Sequence, residues 1–466
     1  LTKKHIALVA GTVMSLGLVA GCGGGDGSAG AHATKQAGPK ASASAGSKGP
    51  VYKGDRVPGL AKQAAWSLAD KDEPYNCAGD ASDDAEEQGN DYVCAVGDAF
   101  LMTQDLSAPV EEGESRPQTA HFVGHLFDAA TGKERKSFDI KCSYDPTEGS
   151  GTSVYDHVQV GTWKDGSPAV LVRACENTEA SGLKKATVKT VYTMYAPNGE
   201  KLGSSSFTGA EQTGLPVVRG HVLLPGDDET RTLAPIGGGQ NLVLPAAVAE
   251  AEPVGTGLGY ATEGDGVNEP LSVIDRGTGK KVWSTTDLTP PAAVAAKQED
   301  GEDADASFYP LHGDRAILVW SPSGSDDAVL TTVDLKTGRT LATGPSVTLD
   351  ITHDDDRTVV SPDGKTAVVQ YGEGAVAWDT ESGAELWRQE ADDKDIEPLS
   401  ITPGGVLYAD LGDSTEAALN VRTKKLLSTR GTGSNGTYDF PEEFSADGYG
   451  LVHTQNAAFV FASDTV

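Results

Sequence analysis

Short apolar runs alternate with tight polar turns along most of the chain, and one arrangement recurs. An apolar strand is followed by Asp or a substitute, two variable residues, Thr or Ser, Gly, usually a basic residue, and a second strand. It reads Leu126-Phe127-Asp128-Ala129-Ala130-Thr131-Gly132-Lys133, then Val273-Ile274-Asp275-Arg276-Gly277-Thr278-Gly279-Lys280, then Thr332-Val333-Asp334-Leu335-Lys336-Thr337-Gly338-Arg339. A fourth copy is Ala377-Trp378-Asp379-Thr380-Glu381-Ser382-Gly383. An Asp here can accept hydrogen bonds from backbone N–H groups just ahead of it, and Gly supplies positive φ where the chain reverses. Asp128/Gly132, Asp275/Gly279, Asp334/Gly338 and Asp379/Gly383 are therefore predicted to shape hairpins rather than to hold a substrate.

Weaker copies are Met194-Tyr195-Ala196-Pro197-Asn198-Gly199-Glu200-Lys201 and Leu419-Asn420-Val421-Arg422-Thr423-Lys424-Lys425, with fainter traces at Leu233 to Gly238 and Phe459 to Val466. Asp334, Asp379 and Asn420 are spaced by 45 and then 41 residues, the length of a four-stranded blade in a β-propeller. Spacings of 67 (Asp128 to Tyr195) and 59 (Asp275 to Asp334) imply inserted loops, such as the acidic stretch Gln298 to Ser307. Ala316 to Trp320, Thr366 to Gln370 and Val406 to Ala409 read as inner strands, each next to a Pro/Asp/Gly turn such as Ser361-Pro362-Asp363-Gly364. A lone blade has open edges and half a core, so the ring must close, most simply by pairing Gln63 to Leu68 with the last blade. The predicted fold is all-β: a seven- or eight-bladed propeller of four-stranded antiparallel blades over 51–466.

Composition agrees with short elements and many turns: 57 Gly and 24 Pro in 466 residues, and 38% hydrophobic residues. With 37 Lys plus Arg against 68 Asp plus Glu, the net charge of −31 repels a nucleic-acid backbone and excludes that partner class.

Ahead of the repeats, Lys3, Lys4 and His5 precede a run of apolar and small residues from Ile6 to Ala20, too short to span a bilayer and shaped as a secretory signal. It ends Leu18-Val19-Ala20-Gly21-Cys22, which resembles the lipobox of bacterial lipoproteins. That resemblance implies removal of 1–21, a thioether-linked diacylglycerol on Cys22, and a chain held on the outer face of the cytoplasmic membrane or an equivalent envelope surface. Two acyl chains anchor stably where one is marginal, at roughly 0.8 kcal/mol per buried methylene. Residues 22–50 form the tether. Positions 23–50 hold eight Gly, seven Ala and four Ser, and cannot build a core.

Apart from Cys22 the cysteines are Cys77, Cys94, Cys142 and Cys175, an even number in a chain addressed to an oxidising compartment. Three pairings are possible; Cys77 with Cys94 and Cys142 with Cys175 join sequence neighbours flanked by strand-like runs. Closing the acidic loop between the first two contributes about 3 kcal/mol in the chain-entropy model. The alternative, zinc, lacks a C-x-x-C or a nearby His in the sequence.

The D-x-x-T-G-K/R pattern resembles the PQQ-like, or quinoprotein-dehydrogenase-like, propeller repeat, with WD40-like propellers close behind. The repeat's terminal Trp stands at Trp283 and Trp387, while Phe138, Leu341 or Leu426 lies near its place elsewhere. Dehydrogenases of that family are similar in holding PQQ and calcium in the central funnel beside adjacent cysteines, and no Cys-Cys pair occurs here. His121 and His125 have zinc-helix spacing, but on a strand their rings stand about 13 Å apart. Gly364-Lys365-Thr366 lacks the earlier glycine of a phosphate loop. Asp227-Asp228-Glu229, Asp354-Asp355-Asp356 and Asp392-Asp393 with Asp395 could share a hard cation, yet lack the D-x-D-x-D-G order of a calcium loop. The expectation is no catalytic residue, no metal and no cofactor. What is expected is a binding or scaffold module tethered to the membrane, with an envelope protein or a small ligand as its unknown partner.

Overall fold

The structure, a computed structural model, describes residues 49–69, 75–80, 92–107, 119–143, 157–178, 187–208, 215, 217–225, 231–244, 248–254, 258–263, 270–275, 278–297, 304–311, 313–322, 325–348, 358–371, 374–390, 392–412, 415–431, 440–441, 443–454 and 457–464. The leader, Cys22 and all of the tether except Gly49 and Pro50 lie outside them.

Eight blades follow one another along the described chain. Blade 1 is Ala95–Val96, Ala99–Asp105, Thr119–Asp128 and Glu134–Ser143; blade 2 is Val158–Thr162, Pro168–Thr178, Thr187–Tyr195 and Lys201–Thr208. Blade 3 is Val217–Val218, His221–Pro225, Arg231–Pro235 and Leu242–Val243, and blade 4 is Val248–Val254, Leu258–Glu263, Leu271–Asp275 and Lys281–Ser284. Blade 5 comprises Asp305–Pro310, Arg315–Ser321, Asp327–Asp334 and Thr340–Thr348. Blades 6 and 7 are Thr358–Val360, Thr366–Tyr371, Gly374–Asp379, Glu385–Arg388 and Glu397–Ile401, Val406–Asp410, Thr415–Asn420, Leu426–Gly431. In blade 8, Phe444 bridges Gly450 beside Tyr449–Thr454 and Ala457–Ala462, and the outermost strand, Trp66–Ala69, comes from the other end of the chain. Its register, Trp66 opposite Val460 through Ala69 opposite Ala457, is the closure predicted from Gln63 to Leu68. An extra strand, Asn76–Asp80, runs antiparallel to the second strand of blade 1 and parallel to the first of blade 2, joining the two sheets.

The core is correspondingly divided. Among the described residues eight apolar clusters form, each where two neighbouring blades face one another. This explains where the runs read as inner strands fall within their blades. Ala316 to Trp320, Thr366 to Gln370 and Val406 to Ala409 are the second strands of blades 5, 6 and 7, not the innermost. A second strand is sandwiched by neighbours within its sheet and by the sheets on either side, so it carries the longest apolar run. Innermost positions are held instead by more polar stretches such as Glu397–Ile401. Of the acidic stretch Gln298 to Ser307, Asp305 to Ser307 likewise belong to the first strand of blade 5, after a short helix at Ala292–Ala295. No helix among the described residues is long and apolar enough to cross a membrane.

Candidate functional site

The repeat turns lie between the third and fourth strands of their blades and share one geometry. In each copy the Asp Oδ1 accepts the N–H and the hydroxyl of the Thr or Ser three residues on. The distances are 2.8 and 2.7 Å at Asp128, 2.8 and 2.8 Å at Asp275, 2.9 and 2.8 Å at Asp334, and 2.9 and 2.9 Å at Asp379. Asn420 makes the same pair with Thr423 through its amide oxygen at 3.1 and 2.9 Å. Gly132, Gly279, Gly338 and Gly383 follow with φ between 67° and 78°, and their N–H groups return to the Asp carbonyl. In the fifth copy Lys424 takes this position at φ 57°, held by its Nζ to the Arg388 carbonyl and to Asp393. Burial alone would raise the Asp128 carboxyl, but hydrogen bonds from Thr131 and Arg135 hold it below the ordinary carboxylate value. Hydrogen bonds from the Ser382 backbone and hydroxyl likewise lower Asp379.

What these turns present to the next blade is the carbonyl one residue beyond the Asp. Trp66 Nε1 donates to Ala129 O, Trp283 Nε1 to Leu335 O and Trp387 Nε1 to Val421 O, each at 2.7 Å and each across a seam between blades. Trp283 and Trp387 were legible from the repeat; Trp66 was not, because its strand is supplied from ahead of the first blade. Blade 5 has no such Trp, and there Thr332 Oγ1 donates to Thr380 O at 2.9 Å. Trp378 of blade 6 packs into the space left by Gly344, where an added Cβ would come 2.5 Å from its ring. Phe138, near another missing Trp, packs on Tyr195 of blade 2 with ring centroids 5.0 Å apart, and Lys136 lies over the Tyr195 ring. Leu426 is half exposed and fills no such role. The trace at Leu233 to Gly238 is a true third-to-fourth-strand turn, whereas at Phe459 the strand runs out because its partner is the amino-terminal strand.

The seam between blades 8 and 1, where the ring closes, gathers the most chemistry. Glu443 Oε2 accepts the N–H groups of Cys94 and Ala95 at 2.8 and 2.6 Å, tying the inner edge of blade 8 to that of blade 1. On the other side of blade 1, Arg135 forms two bonds with the Asp98 carboxylate, one with Asp128 and one with the Pro197 carbonyl of blade 2. Its charge is further stabilised, chiefly by the Asp98 hydrogen bonds. Cys77 and Cys94 are joined in a disulfide. Cys175 is disulfide-bonded as well; Cys142 stands on Glu134–Ser143, its side chain outside the described set. Next to the first disulfide lies His453, on the second strand of blade 8, with a ring nitrogen and both sulfurs within 4.8 Å of one another. Cysteine spacing alone does not point to this histidine, since only ring closure brings it beside the two cysteines.

Other candidates are dispersed. His121 and His125 share the strand Thr119–Asp128, as predicted, and face different carboxylates: Asp139 at 2.8 Å and Glu134 at 3.5 Å. Asp393 accepts from the Glu390 N–H and from Lys424, and Asp395 from Gln389, so these carboxylates are engaged with protein donors. Asp227-Asp228-Glu229 and Asp354-Asp355-Asp356 lie outside the described residues.

Residues 325–429, which hold the evenly spaced copies at Asp334, Asp379 and Asn420, match the family model described as outer membrane protein assembly factor BamB. The described body of the chain is a β-propeller, and the family match covers this one stretch of it. Among solved structures, BamB from Moraxella catarrhalis is similar at 13% identity and a TM-score of 0.36, covering 77% of this chain and 99% of its own. Saccharomyces cerevisiae Sqt1 is similar at 13% identity and a TM-score of 0.40, covering 79% and 97%. No curated protein matches the sequence significantly.

Proposed function

We propose that this PQQ-like propeller is a non-enzymatic binding or scaffold module, lipid-anchored through Cys22 on the extracytoplasmic side of an envelope membrane. Its role is in the assembly of envelope proteins. The observation that carries this reading is where the chemistry of the repeat goes. The Asp or Asn and the Thr or Ser of the five copies are consumed by a turn, and at four of them, Asp128, Asp334, Asp379 and Asn420, the next carbonyl is taken by the neighbouring blade. Side chains spent on shape leave recognition to the connections between strands, where binding residues sit on a rigid scaffold. The match of residues 325–429 to an assembly-factor repeat supports a protein as the partner.

Two measurements test it. Mass spectrometry of the mature amino-terminal peptide is expected to give Cys22 bearing a diacylglyceryl thioether; a mature form that keeps residues upstream of Cys22 overturns the anchor. Cross-linking in intact cells is expected to yield one stoichiometric complex with an envelope protein. Turnover of a substrate by the purified protein, or saturable spectral binding of PQQ, would replace the scaffold with an enzyme, and a small molecule retained through purification would point to ligand sensing.

A further inference from the structure

We propose that reduction of the Cys77–Cys94 disulfide turns the closing seam into a binding site for a soft or borderline divalent cation of the zinc class, with Cys77, Cys94 and His453 as ligands. Their ligand atoms already lie within 4.8 Å of one another, a spread that small side-chain rotations bring to the separations required by metal bonds of about 2.3 Å to sulfur and 2.0–2.1 Å to nitrogen. Two thiolates and an imidazole select zinc-like ions over calcium or magnesium, and three protein ligands leave a fourth position for water. Cys94 is buried and Cys77 and His453 are half-buried, so the site is shielded yet reachable.

The chemistry balances in two steps. Two thiol groups of a reducing dithiol are oxidised to a disulfide, and their two hydrogens and two electrons leave Cys77 and Cys94 as thiols. The cation then displaces both sulfur protons and accepts a lone pair from each thiolate and from the His453 ring.

Topology gives this exchange a consequence. The disulfide joins two residues on the blade 1 side of the seam, whereas His453 stands on blade 8. The oxidised bond therefore pins a loop without crossing the seam, while the metal would cross it. Reduction in the presence of metal exchanges a loop staple for a ring staple.

The test uses the full chain and Cd²⁺ as the probe, after reduction by a phosphine and its removal under anaerobic conditions. Cys22→Ser/Cys142→Ser/Cys175→Ser is the background that removes the other thiols. One Cd²⁺ per chain with a thiolate-to-metal ultraviolet band is expected from the reduced protein and none from the oxidised one. His453→Ala is expected to weaken binding ~10-fold or more, the scale on which even outer-shell partners act. Absence of the band after reduction, or equal affinity in His453→Ala, overturns the proposal. Should either variant fail to fold, cadmium NMR of the reduced parent decides. A signal from two sulfurs and one nitrogen supports the site, and one showing no nitrogen ligand refutes it.

Discussion

A carboxylate oxygen in each repeat turn holds two donors, and Asn420 does so with an amide oxygen. Asp379→Asn is therefore expected to keep the fold within about 0.5 kcal/mol at neutral pH, while Asp379→Ala, which orphans both donors, costs about 1–2 kcal/mol in urea unfolding. Among the repeat-turn carboxyls, Asp128 and Asp379 have lowered pKa values, which makes their turns acid-sensitive in a definite direction. Their stabilisation is complete above the unfolded carboxylate pKa, about 3.9, and is lost as pH falls through the lower folded value. Thermal melts between pH 6 and pH 3 are expected to show this loss below about pH 4, and Asp128→Asn to make it shallower. At Gly383 the demand is steric as well as conformational. With φ at 78° and a Cβ that would stand 2.1 Å from the Thr343 carbonyl oxygen, Gly383→Ala is expected to cost more than ~2 kcal/mol.

At the scale of the element, a blade is finished by its neighbour. Trp387→Phe keeps an apolar ring but leaves the Val421 carbonyl without its indole donor, a loss of ~1–3 kcal/mol expected in denaturant unfolding. At the seam between blades 5 and 6, which has no such Trp, the donor is Thr332, so Thr332→Val, nearly isosteric, is expected to lose a comparable amount by stranding the Thr380 carbonyl. The repeat motif announced two of the three docking tryptophans because they follow the turn at a fixed distance. Trp66 escaped it because its strand comes from ahead of the first blade, and Thr332 because it stands two residues before its own Asp rather than after the turn. The apolar runs were recognised as inner strands because hydrophobicity reports burial, and in these stacked sheets the longest apolar run falls on the second strand.

Over the whole molecule, stability depends on closure. The outermost strand of blade 8 comes from residues 66–69, and the segment before it is docked too: Tyr52 packs edge-on to Phe459 and Phe461, Arg430 donates to the Tyr52 hydroxyl, and Tyr408 donates to the Pro58 carbonyl. Removing residues 1–48 is expected to leave the melting temperature unchanged. Removing 1–70 bares the edge of Ala457–Ala462 and is expected to give an aggregating chain or a lower, broader transition, measured by calorimetry and light scattering.

Turns are local chemistry, so the chain's own order of residues determined them. An Asp, a Thr three positions on and a Gly one further fix a reversal whatever surrounds it, and their spacing of 45 and 41 residues determined blade length and fold class. Partnerships between blades are not local. How Thr332 replaces an indole was decided only when blades 5 and 6 packed, and which carbonyl meets Trp66 and that His453 stands beside Cys77 and Cys94 only when the two ends of the chain met. The physical reason is that seam contacts depend on the packing of whole sheets, and no pattern within a few residues encodes that geometry.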